Sequence, residues 1–276
     1  MMTRAGSERP RLLVSVRDAD EAVAAIAGGA DIIDVKDPSA GSLGRASAET
    51  WQQIAAVIPA NVPLSLALGE LVEWSPEACV PAIPPTTRWL KLGLAGAQTL
   101  PDWRSTWMSL RTRVAEACPN GVGWVAVAYA DAAEAGAPDL ESVAAAAVES
   151  GCQGFLMDTW SKRSGSLFDL PASRRVPELL KRLRAKGLFT AVAGSLRPAD
   201  LSAVAGWGAD IVAVRTAACE GAVRNGRVSA DCVAHLIQSL AGSGLAEIRS
   251  GGAGCLNSQP VAGVGGRALD LSDRTA

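Results

Sequence analysis

The sequence predicts an α/β fold, a single (β/α)8 TIM barrel followed by a flexible C-terminal tail. Short apolar runs of β type alternate with alanine-rich helical stretches, which is typical of a parallel sheet covered by helices. Eight such units occupy about 240 residues, which favours a closed barrel over an open doubly wound sheet. The length of 276 residues and the hydrophobic content of 49% also suit one domain with a large core.

The strands are predicted from short apolar runs, beginning with RLLVSV at 11–16. Each run is bounded by polar or glycine-containing segments and is short enough to be a buried strand. The predicted strands cover 11–16, 31–35, 64–68, 89–94, 122–129, 154–158, 189–193 and 211–214.

The helices are predicted between these strands, with Asp18 and Ser47 as N-caps of the first two. The third helix has the weakest pattern because four prolines crowd it, namely Pro76, Pro81, Pro84 and Pro85. The predicted helices cover 18–26, 47–58, 77–82, 103–117, 140–148, 177–186, 199–204 and 230–240.

One internal echo supports repeated strand–helix units. The segment at 27–35 recurs at 205–214, each time as a helix end, a glycine cap and a buried strand. The sequence divides into a disordered N-terminus at 1–10, a barrel at 11–242 and a Gly/Ser-rich flexible tail at 243–276.

Composition excludes several functional classes. The 26 basic and 28 acidic residues give a net charge of -2, so no nucleic-acid or anionic-membrane partner is expected. One histidine and six cysteines without a C-x-x-C pair exclude common transition-metal sites, and no nicotinamide or flavin motif occurs. No cofactor is therefore expected. The absence of a signal peptide and of a long apolar run predicts a cytoplasmic protein.

Charged residues at the strand ends are the candidate catalytic groups, because barrel enzymes place reactive groups there. Asp34, Lys36, Lys91 and Asp158 lie in or directly after apolar strands, and Lys162 follows four residues later. A lone lysine at a rim is usually solvated, but two on apolar strands near carboxylates indicate function. One lysine with a lowered pKa could form a Schiff base, while the carboxylates move protons.

The loops after strands seven and eight are candidate phosphate sites. They contain Gly194 and Ser195, and Arg215 and Thr216, respectively. Small residues let backbone N–H groups approach an anion, and an arginine adds a charge. Short glycine turns are also ordinary barrel connections. The GSLG loop at 41–44 could fold over a substrate or could equally be a plain connection.

In combination, these segments resemble the (5-formylfuran-3-yl)methyl phosphate synthase family of methanofuran biosynthesis. The resemblance spans about residues 11–240, in order and at matching spacing. The matching segments are LLVS at 12–15, IAGGADIIDVK at 26–36, GSLG at 41–44, KLGL at 91–94, LMDT at 156–159 with Lys162, LFD at 167–169, AGS at 193–195, VR at 214–215 with AAC at 217–219, and NGR at 225–227.

The resemblance implies a barrel enzyme that joins two molecules of glyceraldehyde 3-phosphate into a phosphorylated furan aldehyde, with release of phosphate and water. Lys36 matches the family's Schiff-base lysine, and Asp34, Lys91, Asp158 and Lys162 match its other catalytic positions. A homo-oligomer is expected. The remaining alternatives are another Schiff-base aldolase for small phosphorylated sugars and a non-catalytic barrel that binds a phosphometabolite.

Overall fold

The eight strands form a closed, all-parallel barrel. The computed structural model describes residues 9–118, 121–161 and 165–250, the last eight of these as backbone only. Each strand pairs with its neighbours in the sequence, and β1 pairs with β8 to close the ring. The strands are β1 Arg11–Val16, β2 Ile32–Val35, β3 Leu64–Glu70, β4 Thr87–Gly93, β5 Gly123–Tyr129, β6 Gly154–Asp158, β7 Phe189–Val192 and β8 Ile211–Val214.

The α-helices of the described chain lie between these strands and after the last one. Both predicted N-caps are confirmed, since the side chain of Asp18 accepts from Glu21 N and that of Ser47 from Thr50 N. The helices are α1 Ala19–Ala27, α2 Ala48–Val57, α3 Trp103–Glu116, α4 Ala132–Ala135, α5 Leu140–Glu149, α6 Val176–Ala185, α7 Leu201–Gly206 and α8 Ala230–Ser250.

The predicted helix at 77–82 is wrong. The connection from β3 to β4 contains only the short 3-10 helix Leu71–Glu73, and residues 74–86 form no helix. Pro76, Pro81, Pro84 and Pro85 lack the N–H donors that a helix needs and restrict the residues before them.

The last helix is longer than predicted. It continues to Ser250, past the predicted helix end at 240 and the predicted tail boundary at 242. A glycine inside a helix costs only about 1 kcal/mol relative to alanine, so Gly242 and Gly244 do not end it. Residues 1–8 and 251–276 of the predicted terminus and tail lie outside the described residues. No described helix is both long and apolar enough to span a membrane.

Side chains of the strands form two apolar layers. One fills the space between the barrel and the helices and includes the fully buried Trp51 and Trp107. This agrees with the period of two in a strand, which sends alternate residues to opposite faces. The other layer fills the inside of the barrel and consists mainly of small and branched residues.

The two echoed segments differ at their glycines. Gly28 caps α1 with φ -77°, and the left-handed residue is the next one, Gly29, with φ 93°. In the second copy Gly206 lies in α7, and Gly208 takes the left-handed conformation with φ 75°. A Cβ on Gly28 would lie 2.5 Å from the carbonyl oxygen of Ala230 at the start of α8, so Gly28 permits close packing of α1 on α8.

We therefore expect Gly28→Ala to lower the free energy of unfolding by about 1–3 kcal/mol, the usual effect of overpacking. The matched control is Gly206→Ala, because a Cβ on Gly206 meets no atom within 4 Å. That change should leave stability unchanged or raise it by up to about 1 kcal/mol. Urea denaturation measures both. Equal effects of the two substitutions would show that the α1–α8 contact tolerates a methyl group.

Candidate active site

The predicted site residues of β2 point into the barrel. Ile33 and Val35 pack in the layer between barrel and helices, whereas Ile32 belongs to the inner layer. Because alternate residues share a face, Asp34 and Lys36 also point inward. Both are buried, with exposed fractions of 0% for Asp34 and 7% for Lys36.

The same alternation places Lys91 on β4 and Asp158 on β6 inside the barrel, each two residues after a member of the inner layer. Lys91, Asp158, Asp34 and Lys36 line one cavity at the carboxyl ends of the strands. The fifth predicted catalytic residue, Lys162, lies outside the described residues.

Asp34 and Lys91 form a buried ion pair. Lys91 Nζ lies 2.7 Å from Asp34 Oδ1, and both side chains are at most 4% exposed. Ser15 Oγ donates to Asp34 Oδ2 at 3.1 Å. Apart from the lysine, Oδ1 accepts no hydrogen bond from the described residues. Removing one partner of such a pair leaves an uncompensated buried charge, which costs about 3–5 kcal/mol.

Asp158 is held by the loop that follows β2. Ser42 Oγ donates to Asp158 Oδ2 at 3.1 Å and to the carbonyl oxygen of Thr159 at 2.9 Å. The Thr159 N–H donates to Asp158 Oδ1 at 2.7 Å. Ser42 is only 1% exposed, so the loop at 41–44 packs into the site. The loop therefore positions a catalytic candidate and is more than a plain connection.

The loops after β7 and β8 contribute Gly194, Ser195 and Thr216 to the lining of the same cavity. Gly194 and Ser195 have φ values of 105° and 51°, and the N–H of Leu167 donates to the Gly194 carbonyl at 2.8 Å. The N–H groups of Gly194, Ser195 and Thr216 donate to no acceptor in the described part of the chain. All three residues line the cavity. A left-handed serine is strained, and such strain often occurs at binding sites.

Arg215 differs from the expectation that it binds phosphate. Its guanidinium forms a buried ion pair with Glu21 of α1, with Nη2 to Oε1 at 3.0 Å and Nη1 to Oε2 closer still. Nη1 also donates to Ser15 O, Nε to Arg224 O and Nη2 to Gly226 O, at 3.0–3.2 Å. A guanidinium has five N–H donors. All five are engaged, so this geometry favours a structural clamp.

Sequence reasoning missed Arg224. Its side chain lines the cavity, is half-buried, and donates from Nη2 to the Gly41 carbonyl at 3.0 Å. Burial lowers the pKa of its guanidinium, while the charge of Asp158 opposes that shift. Arg224 lies in an irregular segment before α8, so it does not follow the end of a strand, where the candidate residues were sought. The only sequence signal is its place next to the NGR segment at 225–227.

A carboxyl–phenol pair, also missed, lies at the ends of β3 and β5. Tyr129 Oη donates to Glu70 Oε1 at 2.6 Å, and the Ala95 N–H donates to Oε2 at 2.8 Å. Burial raises the pKa of Glu70 and that of Tyr129. Gly93 leaves the room for Glu70, since a Cβ there would lie 2.0 Å from Oε2. Neither residue of the pair is among those that line the cavity.

Comparison with known proteins places the chain in a sequence family. The family model described as 4-HFC-P synthase matches residues 12–237. A (5-formylfuran-3-yl)methyl phosphate synthase of Methanopyrus kandleri is 37% identical over 245 residues, which cover 84% of this chain and 100% of the relative. The protein of that name from Methanocaldococcus jannaschii is 35% identical over 82% of this chain and 97% of the relative.

Solved structures support the barrel fold. Phosphoribosyl anthranilate isomerase from Thermotoga maritima superposes with a TM-score of 0.54 and 16% identity, over 84% of this chain and 99% of that one. Thiamine phosphate pyrophosphorylase from Pyrococcus furiosus gives a TM-score of 0.51 and 9% identity, over 86% and 97%. At these identities the likeness concerns the fold alone.

The clamp role of Arg215 makes a prediction about stability. We expect Arg215→Ala to lower the free energy of unfolding by about 3 kcal/mol, because the buried Glu21 carboxylate loses its buried guanidinium partner and keeps only the contacts of the partly exposed Arg17. Arg227→Ala is the control, since Arg227 pairs with Asp20 at the surface, with side chains 57% and 85% exposed. Loss of such a pair costs at most about 1 kcal/mol.

A thermodynamic cycle is completed by measuring, through chemical denaturation, the free energies of unfolding of Glu21→Gln and of the double variant Arg215→Ala/Glu21→Gln. The double variant should be more stable than Arg215→Ala alone, because no carboxylate is then buried without its guanidinium partner. A stable Arg215→Ala variant with a raised KM would instead restore the phosphate contact expected from the sequence.

Proposed function

Because the chain belongs to the 4-HFC-P synthase family, we propose that it condenses two molecules of glyceraldehyde 3-phosphate into (5-formylfuran-3-yl)methyl phosphate. The reaction releases phosphate and water and supplies the furan of a methanofuran-type cofactor. The observation that carries this proposal is the cavity, in which buried Lys36 lies with the Asp34–Lys91 pair, Asp158 and the Gly194–Ser195 turn.

Lys36 is the proposed nucleophile. Its amine attacks the aldehyde of the first triose and forms an imine as water leaves. Lys91 Nζ lies 2.7 Å from the Asp34 carboxylate. That ion pair suits Lys91 to donate protons and to stabilise negative charge, whereas Lys36 is the residue that matches the family's Schiff-base lysine.

The carboxylates are the proposed proton carriers. Removing the proton next to the imine converts it to an enamine, whose carbon attacks the aldehyde of the second triose. Asp34 precedes Lys36 by two residues on the same strand face, and its Oδ1 has no further hydrogen-bond donor among the described residues. Asp158 approaches the cavity from β6 and serves the later loss of water and phosphate.

The backbone cup formed by Gly194, Ser195 and Thr216 is the proposed site of one substrate phosphate. The three residues line the cavity that contains Lys36, and their N–H groups have no acceptor among the described residues. Oriented backbone N–H groups bind phosphate in many barrels at the loops after strands seven and eight.

The covalent step can be tested by trapping. Borohydride added with glyceraldehyde 3-phosphate should fix one triose on Lys36, seen as a mass increase on its peptide. Lys36→Arg keeps the charge and should give no adduct and almost no turnover. The control is Lys186→Arg, which changes an exposed lysine at the end of α6 and should preserve both the adduct and turnover.

Two outcomes would contradict the assignment. An adduct on Lys91 or Lys162 would move the nucleophile to another lysine. Furan formation without any adduct would remove the imine and leave proton transfer by Asp34 and Asp158 alone.

We also expect chelators to leave the activity intact. Within the described ranges, no group of three or more histidine, cysteine, aspartate or glutamate side chains is suited to hold a metal ion. A lysine imine can act as the electron sink in place of a metal. Furan formation measured before and after dialysis against EDTA tests this. Loss of activity that a divalent ion restores would refute the metal-free mechanism.

A further inference from the structure

The cationic side chains around the cavity differ in how many of their hydrogen-bond donors are already engaged by other residues of the protein. Lys91 is paired with Asp34, and all five donors of Arg215 are engaged by Glu21 and by backbone carbonyls. The guanidinium of Arg224 makes one hydrogen bond in the described part of the chain, to Gly41. Its Nε and Nη1 groups therefore still have donors to offer.

The backbone that carries Arg224 is well anchored. Glu220 N donates to Arg227 O at 2.9 Å and Gly226 N to Val223 O at 2.8 Å. Arg215 Nε additionally donates to the Arg224 carbonyl at 3.2 Å. A fixed backbone with an incompletely used head group is expected of a binding residue, since the position is set before the ligand arrives.

Among the described residues, Arg224 donates a hydrogen bond to no acceptor besides the Gly41 carbonyl. Burial lowers the pKa of the Arg224 guanidinium, whereas the charge of the Asp158 carboxylate raises it. Ser42 and Thr159 donate to the oxygens of that carboxylate. A partly buried guanidinium with unused donors is stabilised by an anion that fits its planar fork, and a phosphomonoester dianion fits that geometry.

We propose that Arg224 binds the phosphate of one substrate molecule, as a second phosphate subsite besides the backbone cup of Gly194, Ser195 and Thr216. The inference rests on the proposed function, in which two phosphorylated trioses occupy one cavity. Two dianions side by side repel each other, so separate subsites are needed. The backbone cup and the guanidinium of Arg224, which all line the cavity, are the two candidates.

The contact with Gly41 links this subsite to the catalytic groups. Gly41 precedes Ser42, which holds Asp158, so one loop connects the phosphate-binding arginine with a proton carrier. The loop at 41–44 therefore contacts both the proposed phosphate-binding residue and Asp158.

The test compares Arg224→Gln with Arg227→Gln, a neutral change at an exposed arginine of the same segment. Glycerol 3-phosphate is the probe, because it carries the phosphate and has no aldehyde to react with a lysine. Calorimetry should show that Arg224→Gln weakens its binding about 10- to 100-fold, the effect of losing a charge-assisted hydrogen bond. Arg224→Lys should recover part of the affinity, and Arg227→Gln should bind as the unmodified protein does.

A second readout separates phosphate binding from a structural role. Borohydride trapping of unphosphorylated glyceraldehyde on Lys36 should be equal in Arg224→Gln and the unmodified protein, while trapping of glyceraldehyde 3-phosphate falls. Equal loss with both aldehydes would make Arg224 a strap between loops and overturn the inference, as would unchanged glycerol 3-phosphate binding. If the unmodified protein makes no furan but Arg224→Gln still loses glycerol 3-phosphate, the subsite stands and the condensation is refuted.

Discussion

The buried ion pair between Asp34 and Lys91 is the interaction on which the site depends. The two residues lie on β2 and β4, so the pair reaches across β3. In register with them, β3 carries Ser65 beside Asp34 and Ala67 beside Lys91. These small side chains leave the space in which a carboxylate and an ammonium meet inside the barrel. Each charge makes the burial of the other possible, because an isolated charge at this depth would cost several kcal/mol.

Around that pair, the loops are held by polar contacts between segments distant in sequence. Ser42 joins the loop after β2 to Asp158 on β6, and Arg215 joins the end of β8 to Glu21 on α1. Asp131 accepts from the N–H groups of Trp160 and Ser161 and so orders the start of the loop after β6. A loop fixed by buried, satisfied hydrogen bonds presents its remaining groups in one arrangement, which is what a binding site requires.

Sequence patterns predicted the parts of this molecule that depend on local periodicity. The strands at 154–158 and 211–214 have the predicted bounds, and the period of two explains why Asp34 and Lys36 share the inner face. The predicted helix at 77–82 is absent from the structure, because four nearby prolines remove N–H donors and restrict the residues before them. The contacts of Arg215 could not be predicted, since its partner Glu21 lies 194 residues away and no local pattern connects them.

Arg215 and Arg224 together show why residue type alone does not assign a role at a barrel mouth. Both are arginines in the connection after β8, and both line the cavity. Their partners differ: Arg215 pairs with the Glu21 carboxylate on α1, whereas Arg224 donates to one carbonyl oxygen among the described residues. A guanidinium that a buried carboxylate neutralises stabilises the barrel without substrate. In the proposed role of Arg224, its remaining donors are available to a bound anion, so its charge contributes to recognition.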